Sequence, residues 1–169
     1  LSGGRCYTLL TAPDGKIYAG GPFTAAGGVA NTSGIAYYDG TWHAVGTGIT
    51  VDATYYVRTL AIDNSGALYA GGTFINHVDA SGDYISKFSG GSWASMGTGM
   101  DGGVYAMAIG PDGYLYVGGA FTTGNGVTLN GIGYWNGTTF VPLGSGVAGG
   151  GTDVWGLCFD DAGNLYIGG

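Results

Sequence analysis

Short apolar runs alternate with glycine-rich turns along the whole chain, and this pattern of apolar and polar positions repeats. The clearest copy reads Leu-Tyr-Ala-Gly-Gly-Thr-Phe over residues 68–74. Related segments begin at Ile17, Leu115 and Leu165. The tyrosines of the four copies lie 51, 47 and 50 residues apart and are Tyr18, Tyr69, Tyr116 and Tyr166. A fixed period near fifty residues indicates a repeat architecture.

Each repeat predicts four short strands. The first is an apolar run, as in residues 57–62 and 104–109, and a tight turn such as Pro-Asp-Gly at 111–113 follows it. The second strand ends in two glycines, the third is a run such as residues 85–88, and the fourth surrounds Trp42, Trp93 or Phe140. No window sustains a helical period, and the glycine density would penalise a helix by roughly 1 kcal/mol per glycine.

Four antiparallel strands in each repeat describe the blade of a β-propeller. We therefore predict an all-β protein, a β-propeller built from four-stranded antiparallel blades and incomplete in this chain, with three blades plus half of a fourth. A β-solenoid is the main rival, but its coils are usually shorter and lack two hairpins per repeat. The predicted repeats cover about residues 3–52, 53–102, 103–150 and 151–169. Because propellers have about 4–8 blades, we expect a fragment of a longer chain, the alternative being a ring that partners complete.

The repeat also makes two geometric predictions. The first strand of each blade should line the axis of the propeller. Gly20, Gly71 and Gly118, the first glycines of the diglycine pairs, should lie where a neighbouring backbone or aromatic ring approaches too closely for a Cβ. The aromatic residues at equivalent strand positions should fill the space between blades, and they are Tyr18, Tyr69, Tyr116, Tyr166, Trp42 and Trp93.

The diglycine of strand two, the aromatic residue of strand three and the tryptophan of strand four resemble the kelch-type blade. The fuller pattern is similar to the kelch-like repeats of secreted or surface-anchored propellers, including fungal cortical cell-polarity markers and bacterial surface proteins. The residues that carry the resemblance are Gly20, Gly21, Tyr38, Trp42, Gly71, Gly72, Phe88, Trp93, Gly118, Gly119, Trp135 and Phe140. The chain departs from the kelch pattern in a shorter spacing between aromatic and tryptophan, and in Phe140, which replaces tryptophan. The resemblance implies an interaction module and carries over no catalytic residue.

The charge balance disfavours some classes of partner. Charged residues make up 9% of the chain, and 11 acidic against 4 basic side chains give a net charge of −7. Nucleic-acid binding depends on Lys and Arg that neutralise phosphates, so we expect no nucleic-acid partner. No apolar run approaches the ~20 residues of a membrane helix, so we expect no membrane insertion.

The motifs of metal and phosphate sites are incomplete. The Asp-Gly turns lack the spacing of a calcium loop, and the glycine-rich segments lack the helix and lysine of a phosphate loop. His43 and His77 occupy non-equivalent positions, so we expect no metal site and no cofactor. Cys6 and Cys158 fall at different positions of the first and fourth repeats, and we expect two separate buried thiols rather than a disulfide.

Loop length predicts where a binding surface lies. In an antiparallel blade, the turns from strand one to two and three to four share one end, which we call the short-turn rim. The connections from strand two to three and four to one share the other end, the long-loop rim, and they are longer and irregular here. Long loops on a rigid scaffold commonly carry binding residues. The candidate binding residues on the long-loop rim are Asp52, Tyr55, Tyr56, Asp79, Asp83, Asp101 and Asp153.

Two function classes remain. The first is a non-catalytic extracellular structural or recognition module, such as an adhesin or a surface, coat or fibre component. Its partners would be a protein or glycan surface, the rest of its own propeller, or neighbouring subunits. The second is a propeller enzyme that acts on glycans, with catalytic residues outside this stretch. Glycosidases use converging carboxylates, and this chain has no Glu, so we expect no catalytic residue and no enzyme activity.

Overall fold

The fold is entirely β-structure and loop in the part of the chain that the computed structural model describes, residues 1–75, 84–147 and 153–169. Blade one contains β1 (Thr8–Thr11), β2 (Ile17–Gly20), β3 (Ile35–Tyr38) and β4 (Trp42–Ala44). Blade two contains β5 (Val57–Ile62), β6 (Leu68–Gly72), β7 (Ile85–Ser89) and β8 (Ser92–Ser95). Blade three contains β9 (Val104–Ile109), β10 (Leu115–Gly119), β11 (Thr123–Gly124), β12 (Val127–Thr128), β13 (Ile132–Trp135) and β14 (Phe140–Pro142). The terminal hairpin contains β15 (Gly156–Phe159) and β16 (Leu165–Gly168).

The strand order confirms the predicted fold. The four-stranded sheets run β1-β2-β3-β4, β5-β6-β7-β8 and β9-β10-β13-β14, and β15 pairs with β16. All of these pairs are antiparallel. The chain is therefore a β-propeller of three blades plus half of a fourth. One detail differs from the expectation of an irregular loop, because residues 123–128 form the small antiparallel hairpin β11-β12. No helix among the described residues is long and apolar enough to cross a membrane.

The first strand of each blade occupies one edge of its sheet and contacts the first strand of the next blade. Strand β1 contacts β5, β5 contacts β9, and β9 contacts β15. Strands that contact in this sequence surround a common axis, as the repeat predicted. The starts of these four strands are therefore brought together at one end of the axis.

The apolar core lies between successive blades. Ile35, Val45 and Ile49 of blade one pack with Leu60 and Phe74 of blade two, and all five are buried. A polar contact crosses the same boundary, because the indole N–H of Trp93 donates a hydrogen bond to the carbonyl of Val45 (3.0 Å). Each blade thus depends on its neighbour to bury its apolar face.

The first glycine of each diglycine is required by the next blade. A Cβ on Gly71 would lie 2.7 Å from Cγ1 of Val104, the first residue of β9. Gly20 and Gly118 meet Val57 and Val154 in the same way, at 2.6 and 2.5 Å. The predicted close approach is confirmed, although the neighbouring atoms belong to a valine side chain rather than to backbone or an aromatic ring.

Two expectations about burial were wrong. Cys6 and Cys158 are free, as predicted, but both are exposed rather than buried. Cys6 lies at the blade-one position that valine occupies in the other repeats, and no blade in the described part of the chain buries it. Cys158 lies in the terminal hairpin, as does Tyr166, whose exposed fraction is 56%. These residues lack the neighbouring blade that buries their equivalents.

Candidate functional site

Four side chains occupy one equivalent position near the start of the inner strand, directly before the residue that pairs with the first glycine of the diglycine. Thr8, Thr59, Ala106 and Gly156 pair with the first glycine or its equivalent. The residues immediately before them are Tyr7, Arg58, Tyr105 and Trp155. Because they begin strands that surround the axis, these four side chains meet at the long-loop end of the axis. We call them the axial cluster.

Ring contacts join three of the four side chains of the axial cluster. Tyr105 and Trp155 stack with ring centroids 4.3 Å apart and planes 10° from parallel. The guanidinium carbon of Arg58 lies 4.7 Å from the centroid of the Trp155 ring and 5.4 Å from that of Tyr105. Stacking and cation–π contacts of this geometry are favourable and orient the side chains. Tyr7 contacts Tyr56 edge to face, with centroids 5.0 Å apart.

The cluster surrounds a cavity that opens to solvent. Tyr7, Arg58, Tyr105 and Trp155 line a volume of about 250 Å³. The exposed fractions of Tyr7 and Trp155 are 43% and 47%, and both side chains line this cavity. Aromatic surface with a few polar groups is typical of ligand pockets, although most pockets are somewhat larger.

Two of the predicted rim residues, Tyr56 and Asp153, act electrostatically on Tyr105 of the axial cluster. The pKa of Tyr105 is raised, chiefly by burial and then by the nearby charge of Asp153 and by Tyr56, while Arg58 acts in the opposite direction. Tyr105 is therefore a neutral phenol at physiological pH. Tyr56 also contacts Tyr7 of the axial cluster, and Asp153 lies two residues before Trp155 in the chain.

The carboxylates of Asp52 and Asp101 bind the backbone of their own rim. Asp52 accepts hydrogen bonds from the N–H groups of Thr54 (2.6 Å) and Tyr55 (2.7 Å), and these bonds lower its pKa. Asp101 accepts from two consecutive N–H groups at residues 122 and 123, both at 2.8 Å. Both carboxylates hold loops in place, which is a structural role that loop length alone did not reveal.

The remaining predicted residues are spread along the rim. The exposed ring of Tyr55 follows the Asp52 turn. Asp52 also lines a second hollow of about 350 Å³, together with Arg5, Pro22 and Thr24. Asp79 and Asp83 lie outside the described residues, as does His77.

On the short-turn rim, the acidic side chains are engaged with tyrosines of the repeat. The hydroxyl of Tyr69 donates to Asp63 (2.9 Å) and that of Tyr116 donates to Asp112 (2.8 Å). Burial and then this hydrogen bond raise the pKa of Tyr116 to about 12. Asp14 instead pairs with Lys16. These carboxylates stabilise turns.

Among the described residues, no group of three His, Cys, Asp or Glu side chains is close enough to hold a metal ion. His43 stacks on Tyr37 with centroids 4.7 Å apart, and its Nε2 lies 2.9 Å from Asp39.

The axial cluster consists of two tyrosines, a tryptophan and an arginine, and this set favours binding of a ligand through stacking and hydrogen bonds.

Sequence reasoning placed Tyr7, Arg58, Tyr105 and Trp155 in the first strands but did not recognise them as a site. A signal was present, because each lies eleven residues before the repeat tyrosine. At this position the chain has large aromatic or cationic side chains, whereas the adjacent positions Val57, Val104 and Val154 are core residues.

Solved structures with a similar fold include extracellular domains of bacterial sensors. The extracellular domain of the putative one component system BT4673 from B. thetaiotaomicron matches with a TM-score of 0.60 and 16% identity, over 97% of this chain and 20% of that chain. The extracellular domain of the putative hybrid two component system BT3049 matches with a TM-score of 0.56 and 16% identity, over 97% and 19%. A catalytically inactive virginiamycin B lyase from Staphylococcus aureus, solved with quinupristin, matches with a TM-score of 0.61 and 14% identity, over 97% and 48%.

The chain therefore spans about a fifth of the length of the sensor domains and about half of the lyase. No protein-family model matches the sequence, and a search of curated protein sequences finds no match. At these low identities the likeness concerns the fold alone, and it agrees with the strand order in identifying the chain as part of a β-propeller.

Proposed function

We propose that this chain is part of a non-catalytic extracellular recognition propeller with kelch-like blades. The observation that carries the proposal is the axial cluster, where the exposed rings of Tyr7 and Trp155 face a cavity beside the guanidinium of Arg58. Exposed aromatic and arginine side chains dominate the energetics of many recognition surfaces.

The chemistry of the cluster favours binding over catalysis. Tyr105 stays protonated at physiological pH because its pKa is raised, so its hydroxyl is a hydrogen-bonding group rather than a base. The guanidinium of Arg58 offers hydrogen-bond donors and no acceptor, so it cannot act as a general base. The rings of Tyr7 and Trp155 supply contact area with little conformational freedom to lose.

The extracellular location is supported by the sensor domains of similar fold, which are extracellular. The low content of charged residues and the stiff β repeat suit a surface, adhesin, coat or fibre protein. The partner is then a protein or glycan surface that meets the long-loop rim.

Screening the purified chain against immobilised glycans and cell-surface proteins tests the proposal. Trp155→Ala should abolish binding of any partner that is found. Tyr114→Ala is the matched control, because Tyr114 is also exposed and stacks on Tyr134 (centroids 5.3 Å apart) on the short-turn rim. Loss of binding in the control alone would refute the assignment to the axial cluster. Cleavage products detected by mass spectrometry would refute the non-catalytic proposal and favour a propeller enzyme that acts on glycans.

A further inference from the structure

The guanidinium of Arg58 contacts the aromatic rings of the axial cluster but has no hydrogen-bonding partner among the described residues. Its central carbon lies 4.7 Å from the centroid of Trp155 and 5.4 Å from that of Tyr105. Within the described part of the chain it makes no hydrogen bond and has no carboxylate within 4.0 Å. A guanidinium presents several N–H donors in its plane, and two parallel donors match the two oxygens of a carboxylate. Arg58 therefore has donors available for a ligand in the cavity.

The cavity limits the size of what Arg58 can bind. Its volume is about 250 Å³ and its walls are the four side chains of the axial cluster. This is below the ~300–1,000 Å³ of pockets for drug-sized ligands, so it suits one small ring. Tyr7 and Trp155 offer apolar faces to such a ring, and Asp153, whose charge acts on Tyr105, provides a hydrogen-bond acceptor nearby.

Resting on the proposed recognition function, we propose that the axial cavity binds a single carboxylate-bearing sugar ring, a hexuronate unit of an acidic glycan. The carboxylate accepts two hydrogen bonds from the edge of Arg58. The C–H face of the sugar packs on the exposed ring of Trp155 or Tyr7. A sugar hydroxyl donates to Asp153, which distinguishes the ligand from a simple carboxylate.

The acidic charge of the whole protein does not oppose this binding decisively. The net charge is −7, but at physiological ionic strength charges beyond about 8 Å are largely screened. The charges of Arg58, inside the site, and Asp153, close to it in the chain, therefore determine the electrostatic attraction of a carboxylate ligand. We expect a moderate, salt-dependent affinity. An extended acidic peptide fits less well, because peptides are usually bound along an exposed strand edge or a groove, whereas this cavity is small and lined by only four side chains.

The test is a calorimetric titration of the protein with a short galacturonate oligosaccharide and with its neutral galactose counterpart. The unmodified protein should bind the acidic oligosaccharide at least tenfold more tightly. Arg58→Met, which keeps the aliphatic stem, should weaken binding of the acidic ligand about 10- to 100-fold, as loss of a charged hydrogen-bonding partner does. It should leave any weak binding of the neutral ligand unchanged. Raising the salt concentration should weaken only the acidic interaction.

Lys87→Met is the matched control. Lys87 is another cation over an aromatic ring, 5.3 Å from the centroid of Tyr69, but it is not part of the axial cavity. The control should bind the acidic ligand normally, and Trp155→Phe, which keeps an aromatic face, should retain part of the affinity. Circular dichroism of each variant checks that it has folded.

The outcomes separate this inference from the proposed function. Equal binding of acidic and neutral ligands, or a loss shared by Arg58→Met and Lys87→Met, would overturn the carboxylate assignment and leave a recognition module standing. Binding of a protein partner but of neither oligosaccharide would do the same. Binding followed by cleavage of the oligosaccharide would overturn the proposed non-catalytic function, whichever residue holds the carboxylate.

Discussion

Blade two and the terminal hairpin carry the same motif in different surroundings. In blade two, every residue of β6 is buried and the exposed fraction of Tyr69 is 4%. In the hairpin, most of β16 is exposed and the equivalent Tyr166 has an exposed fraction of 56%. The four residue pairs of the terminal hairpin nevertheless match four pairs of β5 and β6, although blade two adds the pair of Val57 with Gly72 beyond a register shift. The motif therefore specifies the hairpin, whereas the adjacent blade and the third strand supply its burial.

The two glycines of the motif distinguish packing within a blade from packing between blades. A Cβ on Gly72 would overlap the carbonyl oxygen of Tyr56, which precedes the first strand of its own blade, and Gly169 meets Asp153 in the same way. A Cβ on Gly71 would instead meet Val104 of the next blade, while Gly168 has nothing within 4 Å. The second glycine is therefore required by packing within its own blade, and the first by packing against the next blade.

The largest effect is expected for Gly72→Ala. The new methyl group would overlap backbone, which cannot turn aside as a side chain can, so we expect a loss of about 3 kcal/mol or more in the free energy of unfolding. Chemical denaturation monitored by near-ultraviolet circular dichroism measures it. A loss below about 1 kcal/mol would show that β5 and β6 can separate locally without cost.

Gly71→Ala should have a smaller effect. We expect a loss of about 1–3 kcal/mol, because Val104 must move away from its packed position. Gly168→Ala is the matched control and should change the unfolding free energy by no more than about 0.5 kcal/mol, as substitutions at open positions usually do. Equal losses at the two positions would contradict the conclusion that the first glycine is required by the neighbouring blade.

The hydroxyl of the repeat tyrosine gives a finer comparison. Tyr69→Phe removes the hydrogen bond to the partly buried Asp63, and we expect a loss of about 1 kcal/mol. Tyr166 makes the corresponding bond to Asp160 at 3.2 Å in an exposed setting, so Tyr166→Phe should be nearly neutral. Thermal unfolding of both variants in parallel provides the measurement. A larger loss for Tyr166→Phe would reverse the order predicted from burial.

The smallest effect concerns acid stability. Burial raises the pKa of Asp63, but hydrogen bonds from Ser65, Tyr69 and Ala67 lower it by more. The pKa of Asp63 therefore lies below its ordinary value of 3.8. A carboxyl group whose folded pKa is lowered stabilises the fold above its unfolded pKa, and this stabilisation disappears as the pH falls through the folded pKa.

Asp63→Asn should therefore reduce the pH dependence of unfolding below about pH 4. The pKa of Asp160 is also lowered, by hydrogen bonds from Asn164, but the hairpin is exposed and can open locally. Asp160→Asn should accordingly change the acid unfolding curve less. Unfolding midpoints between pH 2 and 6 decide the comparison, and identical curves for the two variants would contradict it.

The sequence by itself determined the repeat and the blade. The spacing of Tyr18, Tyr69, Tyr116 and Tyr166 gives the period, and the turns and apolar runs give the strands, because hairpin pairing depends on residues close together in the chain. The close approach at Gly20, Gly71 and Gly118 was also predictable, since a glycine repeated in a strand indicates close backbone packing. The lengths of the loops likewise identified the long-loop rim as the end where a site could form.

Only the tertiary structure decided which side chains meet there and which are covered. Tyr7, Arg58, Tyr105 and Trp155 are separated by roughly one repeat each, and only the arrangement of blades around an axis brings them to one cavity. Alternation along a strand shows that two faces differ, but it does not show whether another blade lies against a face. That is why Cys6, Cys158 and Tyr166 are exposed despite their resemblance to core positions, and why Asp52 and Asp101 bind backbone N–H groups that come close only when the loops fold.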